Sequence, residues 1–230
     1  MNALNTQTEP TPHIPVLLEP TVTGLSIQPT DIVLDGTIGF GGHSEHIIAK
    51  LNDKGHLIGI DQDKAALSYC QKKFNTHKNI SLHCVSYAEF DTILKKRKLS
   101  KVLLDLGISS YQLDHPERGF SYLQEAPLDM RMNKNNTLTA SIILNTYSQQ
   151  ELADIFYYLG DLKQTKHLST NIVEYRKKNK ITTTTDLLTL IKQSYHFSNK
   201  RKKQLKIYAQ VFQALRIETN QELTVLQNTL

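Results

Sequence analysis

The chain has 230 residues, 39% apolar and 21% charged, enough to bury the core of one full domain or of a domain with a small companion, and too apolar for wholesale disorder. No run of about 18 apolar residues offers a transmembrane helix, the start MNALNTQTEPTPH lacks the basic and apolar regions of a secretory signal, and two cysteines, Cys70 and Cys84, make neither a disulfide scaffold nor a four-ligand zinc ribbon. The formal charge of +5 is uneven: Asp161 to Lys206 holds 12 Lys/Arg against 3 Asp/Glu, which leaves the rest mildly acidic and reads either as a polyanion-binding module or as a set of solvated helix faces.

Residues 1–12 read as a polar, mobile tail. Ile32-Val33-Leu34-Asp35 is a short apolar run ending in an acid, and Gly36-Thr37-Ile38-Gly39-Phe40-Gly41-Gly42-His43-Ser44 follows it. Ile47, Ile48 and Leu51 then recur at helical spacing, so the pattern is strand, glycine-rich turn, helix. A second strand runs from His56 to Asp61, and a helix follows through Ala65, Ala66, Leu67 and Phe74. A third strand spans Ile80 to Val85, Phe90, Ile93 and Leu94 mark another helix, and Val102-Leu103-Leu104-Asp105 is a fourth strand. Near-continuous apolar strands alternating with helices predict an α/β fold with a parallel sheet covered on both faces. Ligands of such sheets bind beyond the carboxyl ends of the strands, where Asp35, Asp61 and Asp105 lie.

Past Ser110 the character changes. Ser148-Gln-Gln-Glu151 is a capping box ahead of Leu152, Ile155 and Phe156, and Thr182 to Thr185 precede Leu187, Leu188 and Ile191. No strand is expected between about 114 and 205, so this stretch reads as a helical insertion carrying the basic tract. A last helix is expected from Val211 to the terminus.

The glycine loop admits several readings. Gly39-x-Gly41 places Ser44 where a dinucleotide fingerprint wants its third glycine, and His43-Ser44 is not the Lys-Ser/Thr of a P-loop. A nucleoside-sulfonium site would use a glycine turn for close backbone approach and an acid after strand two, such as Asp61, to accept the ribose hydroxyls. NAD carries the same diol, so that acid does not separate the two cofactors. Glycines that serve only tight turns are the plainest alternative.

Asp35-Gly-Thr-Ile-Gly-Phe-Gly-Gly-His-Ser44, Leu104-Asp-Leu-Gly-Ile-Ser-Ser110, Arg118-Gly-Phe-Ser121 and Pro127-Leu-Asp-Met-Arg-Met132 together resemble the RsmH (MraW) family of S-adenosylmethionine-dependent methyltransferases. His13-x-Pro-Val-Leu-Leu-Glu19 and Phe212-Gln-Ala-Leu-Arg-Ile217 extend the resemblance over nearly the whole chain. The family modifies the N4 amine of a cytidine in the decoding region of small-subunit (16S) ribosomal RNA. The resemblance implies a class I methyltransferase core from residues 13–113 and 207–230, with an inserted all-helical, RNA-binding domain from 114–206. It places cofactor contacts on Gly41, Gly42, His43, Asp61, Tyr87, Asp105 and Gln112, with no metal.

Asp105 is further expected to accept hydrogens from the target amine, beside carbonyls of Gly107 to Ser109. Arg118 and Arg131 are candidates to hold RNA phosphates, with salt bridges to Asp114 and Asp129 as the structural alternative. The implied partner is small-subunit ribosomal RNA or the assembled subunit, in the cytoplasm and away from membranes, with a dimer left open. A non-catalytic RNA-binding or assembly protein on the same fold and a nucleotide-dependent oxidoreductase are the competing functions.

This sequence also departs from the family pattern. Lys206-Ile-Tyr-Ala-Gln210 stands in place of His-Pro-Ala-Thr-Arg, and Gly160-Asp161-Leu162 in place of Gly-Glu-Glu. Family members continue into a further strand and a Ser-Phe-His-Ser-Leu-Glu-Asp-Arg stretch, whereas this chain stops at Leu230. The expectation is an apparently truncated member with an open apolar fourth strand: a fragment, a natural truncation, or a chain whose partner supplies the cover.

Overall fold

The computed structural model describes residues 15–94, 97–197 and 201–230. The tail 1–12 and His13 lie outside the described residues. The chain forms two compact units, residues 1–111 and 112–230.

The first unit is built on four parallel strands in the order β3-β2-β1-β4. They are β1 (Ile32–Asp35), β2 (His56–Ile60), β3 (Ile80–His83) and β4 (Lys101–Leu103). Successive strand residues point to opposite faces, yet Val33 and Leu34 are both buried, as are Leu57 and Ile58. Both faces of the sheet centre are therefore covered, as a parallel sheet requires. Helices α1 (Leu18–Gly24), α2 (Gly42–Ile48), α3 (Lys64–Lys73) and α4 (Phe90–Leu94) alternate with the strands. Val33, Ile47, Leu57, Leu67, Cys70 and Phe74 meet in one core, the Val, Ile, Leu and Phe side chains contributing roughly 1.5–3 kcal/mol of burial apiece.

The predicted α/β class and parallel order are borne out, with three strands ending earlier than expected, β2 at Ile60 rather than Asp61. β3 ends at His83 rather than Val85, and β4 at Leu103 rather than Asp105. The Asp105 amide leaves the ladder because it donates to the Thr37 hydroxyl at 2.7 Å. β4 is an edge strand of the described sheet, and Val102 there is 48% exposed, with Leu106 just beyond it at 50%.

Short α5 (Ser110–Asp114) leads into the second unit, which is helical: α6 (Ala140–Thr146), α7 (Gln149–Tyr158), α8 (Lys166–Arg176), α9 (Thr184–Ser194), α10 (Arg201–Asn220) and α11 (Glu222–Thr229). Phe156, Leu144, Leu168, Ile172, Leu187, Val211 and Leu215 are buried. Both expected caps are present. Ser148 Oγ accepts from the Glu151 amide at 3.2 Å, and Thr183 Oγ1 accepts from that of Asp186 at 3.2 Å. The only departure from an all-helical unit among its described residues is one antiparallel bridge, Pro127 to Thr183.

Two expectations are corrected here. The last helix begins at Arg201, ten residues before Val211, and breaks at Gln221, whose φ of 49° is left-handed. Residues 207–230, assigned from sequence to the methyltransferase core, belong to the helical unit. There α10 packs on α6 and α7, burying Ile207, Tyr208, Val211, Phe212 and Leu215.

Candidate active site

The loop from Asp35 to Ser44 at the carboxyl end of β1 is held by its own side chains. Asp35 is buried, and its carboxylate accepts from the Thr37 amide at 3.2 Å and from Ser44 Oγ at 2.7 Å. Burial pushes the Asp35 carboxyl up to about 6, against those two donors. Gly41 caps α2 with φ 74°, and a Cβ there would stand 2.7 Å from the Phe74 ring, so only glycine fits. Lys73 bridges Glu45 at 2.7 Å and reaches the Gly41 carbonyl at 3.5 Å.

Asp61 follows β2 and is half-buried. Its two oxygens accept from different amides, Oδ2 from Gly39 at 2.9 Å and Oδ1 from Asp63 at 2.8 Å. A carboxylate has about four acceptor sites, so these backbone donors leave capacity for a ligand hydroxyl. Tyr87 is buried in a 3-10 turn, Tyr87–Glu89, that Ser86 and Glu89 cap reciprocally. Its Cβ would stand 3.1 Å from a side chain at Gly36, so the ring base abuts the glycine loop.

His43 enters the site from the first turn of α2. Its Nδ1 lies 3.7 Å from Asp105 Oδ2, and its Nε2 is buried with no hydrogen-bond partner. Burial holds its pKa below the ordinary imidazole value, against the pull of the Asp105 carboxylate. The Asp105 side chain itself is 56% exposed. Gly41, Gly42, His43, Asp61, Tyr87 and Asp105 are therefore all in the first unit, around the carboxyl ends of its strands. Asp35, marked from sequence only as a strand-end acid, completes this framework with Thr37 and Ser44, which the spacing did not single out. Ser44 reads there as a missing third glycine, when its hydroxyl is the partner of Asp35.

Gln112, Arg118 and Arg131 belong to the second unit. Gln112 is buried on α5. Arg118 is 5% exposed, donates to the carbonyls of Arg131 and Met132 at 3.1 and 3.2 Å, and lies over the Phe120 ring. Arg131 makes a two-pronged contact with Asp129 at 2.7 and 2.9 Å and donates to the carbonyls of Lys134 and Asn136. For Arg131, pairing with Asp129 is the arrangement observed.

A model of the MraW methylase family matches residues 10–230. The chain belongs to that family. It is 39% identical over 221 residues to the "Ribosomal RNA small subunit methyltransferase H" of Clostridium botulinum strain Loch Maree / Type A3, covering 95% of this chain and 71% of the relative. The relative of the same name from strain Okra / Type B1 is 40% identical over the same shares. An rRNA methylase structure from Streptococcus thermophilus aligns at 16% identity with a TM-score of 0.35, over 50% of this chain and 72% of that one.

The methylase fold and methyltransferase activity expected from the motifs are borne out by this membership, and the cofactor is S-adenosylmethionine. The first unit fits that group. The Asp61 carboxylate keeps acceptor capacity for a ribose hydroxyl, and the turn at Gly41 admits no side chain. Among the described residues no group of three or more His, Cys, Asp or Glu is placed to hold a metal ion, and no helix is long and apolar enough to cross a membrane.

Proposed function

We propose that the protein methylates the N4 amine of a cytidine in the decoding region of small-subunit ribosomal RNA, in the cytoplasm. The observation that carries this reading is the agreement of the motifs with relatives about 40% identical whose name is ribosomal RNA small subunit methyltransferase H. Bound S-adenosylmethionine would supply an electrophilic methyl on sulfur, leaving as a neutral thioether without help from a metal.

The chain's residues position and deprotonate. Asp61 accepts the ribose hydroxyls, Tyr87 flanks the adenine, and the backbone at Gly41 and Gly42 lies along the amino-acid part, with His43 and Gln112 as further cofactor contacts. Cytosine N4 is a weak nucleophile because its lone pair is delocalised into the ring. An acceptor for its hydrogens favours the pyramidal form and takes the proton released after transfer. Asp105, with an exposed carboxylate on an amide fixed by Thr37, is that acceptor. Close, in-line placement of amine and methyl is the larger part of the catalysis. The helical residues 114–206 face RNA in this reading, which their excess of Lys and Arg supports.

The test is transfer of labelled methyl from S-adenosylmethionine to small ribosomal subunits lacking the modification, with the product base identified by mass spectrometry. N4-methylcytidine formed by the wild type and lost in Asp105→Asn, with cofactor affinity retained, supports the assignment. A different modified base would overturn it. A chain that binds RNA and cofactor yet never transfers methyl is a binding protein on this fold.

A further inference from the structure

Charge divides between the units. Residues 1–111 hold 11 Lys/Arg and 11 Asp/Glu, whereas residues 112–230 hold 16 against 11, so the whole net charge of +5 lies on the helical unit. Within that unit α8 and α9 flank an open groove of about 510 Å³, ample for one nucleotide. His167, Asn171, Tyr175 and Lys178 recur at three- or four-residue spacing along one face of α8 and the turn after it, and Gln193 of α9 faces them.

The polar groups of this groove are oriented. Ser194 Oγ donates to the Leu190 carbonyl at 2.7 Å, so it can only accept from Asn171, whose Nδ2 stands 2.8 Å away. That fixes the amide and leaves Asn171 Oδ1 as an acceptor. His167 Nδ1 lies 3.0 Å from the Ser194 carbonyl and must carry its hydrogen, so in the neutral ring Nε2 is a second acceptor. Tyr175 is half-buried, and Lys178 is exposed at the rim. Glu174, the acid on the lining, is paired with Lys177 at 2.6 Å and leaves Lys178 to an outside anion.

We propose that the α8–α9 groove is a subsite for one unpaired, amino-bearing nucleotide (adenine, cytosine or guanine, as opposed to uracil) of the RNA substrate. The fixed acceptors of Asn171 and His167 take the exocyclic amine, Tyr175 offers a ring to the base, and Lys178 holds a flanking phosphate. Unpaired bases are read in this way, by edge contacts and aromatic surfaces in a basic setting. The proposal rests on the reading of the chain as an RNA methyltransferase.

The probe is fluorescein-labelled single-stranded RNA, A12 beside U12, titrated against the full chain by anisotropy at several salt concentrations. Lys178→Glu should weaken A12 about tenfold and lower the slope of log affinity against log salt by about 0.7, the value for one phosphate contact on a single strand. Asn171→Ala should weaken A12 several-fold and leave U12 unchanged, with thermal melting and S-adenosylmethionine binding as controls for folding. Equal A12 affinity in both variants and wild type would overturn the proposal, as would a wild type with no preference for A12 over U12. If wild type and Lys178→Glu methylate small subunits at equal rates, the groove is dispensable while the methyltransferase reading stands. If the wild type transfers no methyl, that reading fails, and the oligonucleotide titrations still decide the groove.

Discussion

Asp35 and Asp61 both stand at strand ends and have different tasks. Asp35 is sealed in, and its carboxyl is pushed up to about 6, above its unfolded value of 3.8. The folded state therefore holds this proton more tightly than the unfolded chain. Its contribution to stability is fully present below about pH 4 and is lost as the pH rises through about 6. Two pKa units correspond to about 3 kcal/mol at most. Asp35→Asn keeps an acceptor for Thr37 and should flatten that decline, so urea unfolding from pH 4 to 8 should show the variant gaining on the wild type above pH 6. Asp61 keeps lone pairs open to the site. Asp61→Ala should weaken S-adenosylmethionine about a hundredfold, read by calorimetry, since two charge-assisted hydrogen bonds are lost. The cysteines divide in a similar way. Burial pushes the Cys70 thiol up to about 12 while Cys84 is exposed, so iodoacetamide on the native protein should label Cys84 and spare Cys70.

At the scale of elements, the best-read parts of the sequence were those whose signal is local. The capping box at Ser148 set the start of α7 correctly, and Ser148→Ala should cost about 1 kcal/mol in urea unfolding. The four strands were legible because each is an apolar run next to a turn. α8 was not, because Lys166-His-Leu-Ser-Thr-Asn-Ile-Val-Glu-Tyr-Arg176 buries only Leu168, Ser169 and Ile172, too sparse a stripe to stand out. The start of α10 was missed for a related reason. Its first turn is Arg201-Lys-Lys-Gln204, and its first buried residue is Ile207. The strand-end framework was readable at its glycines and acids, which have fixed spacing. It was unreadable at Thr37 and Ser44, whose roles depend on contacts to Asp105 and Asp35 that no spacing rule encodes.

At the scale of the molecule, a unit of net charge zero holds the glycine loop and Asp61, and a basic unit carries the surplus cations. Salt should therefore act on the two ligands unequally. Raising salt from 50 to 200 mM should weaken RNA binding by at least tenfold, as a few phosphate contacts require, and leave S-adenosylmethionine affinity nearly unchanged. The exposed apolar residues at β4 bear on solubility. Val102→Lys should lower light scattering on concentration without altering the buried centre of the sheet, because charge on an edge strand opposes edge-to-edge pairing.

The hydrogen bond from the Asp105 amide to the Thr37 hydroxyl has a kinetic consequence. In the proposed mechanism it would suspend the acceptor carboxylate from the glycine loop proposed to take the methyl donor. Whatever settles that loop also settles the acceptor, so the enzyme should be competent for its nucleic acid only after the donor is seated. On that proposal an ordered sequence is expected, donor first and demethylated donor last to leave. Thr37→Val should blur that order by letting the acceptor drift, lowering turnover more than donor affinity.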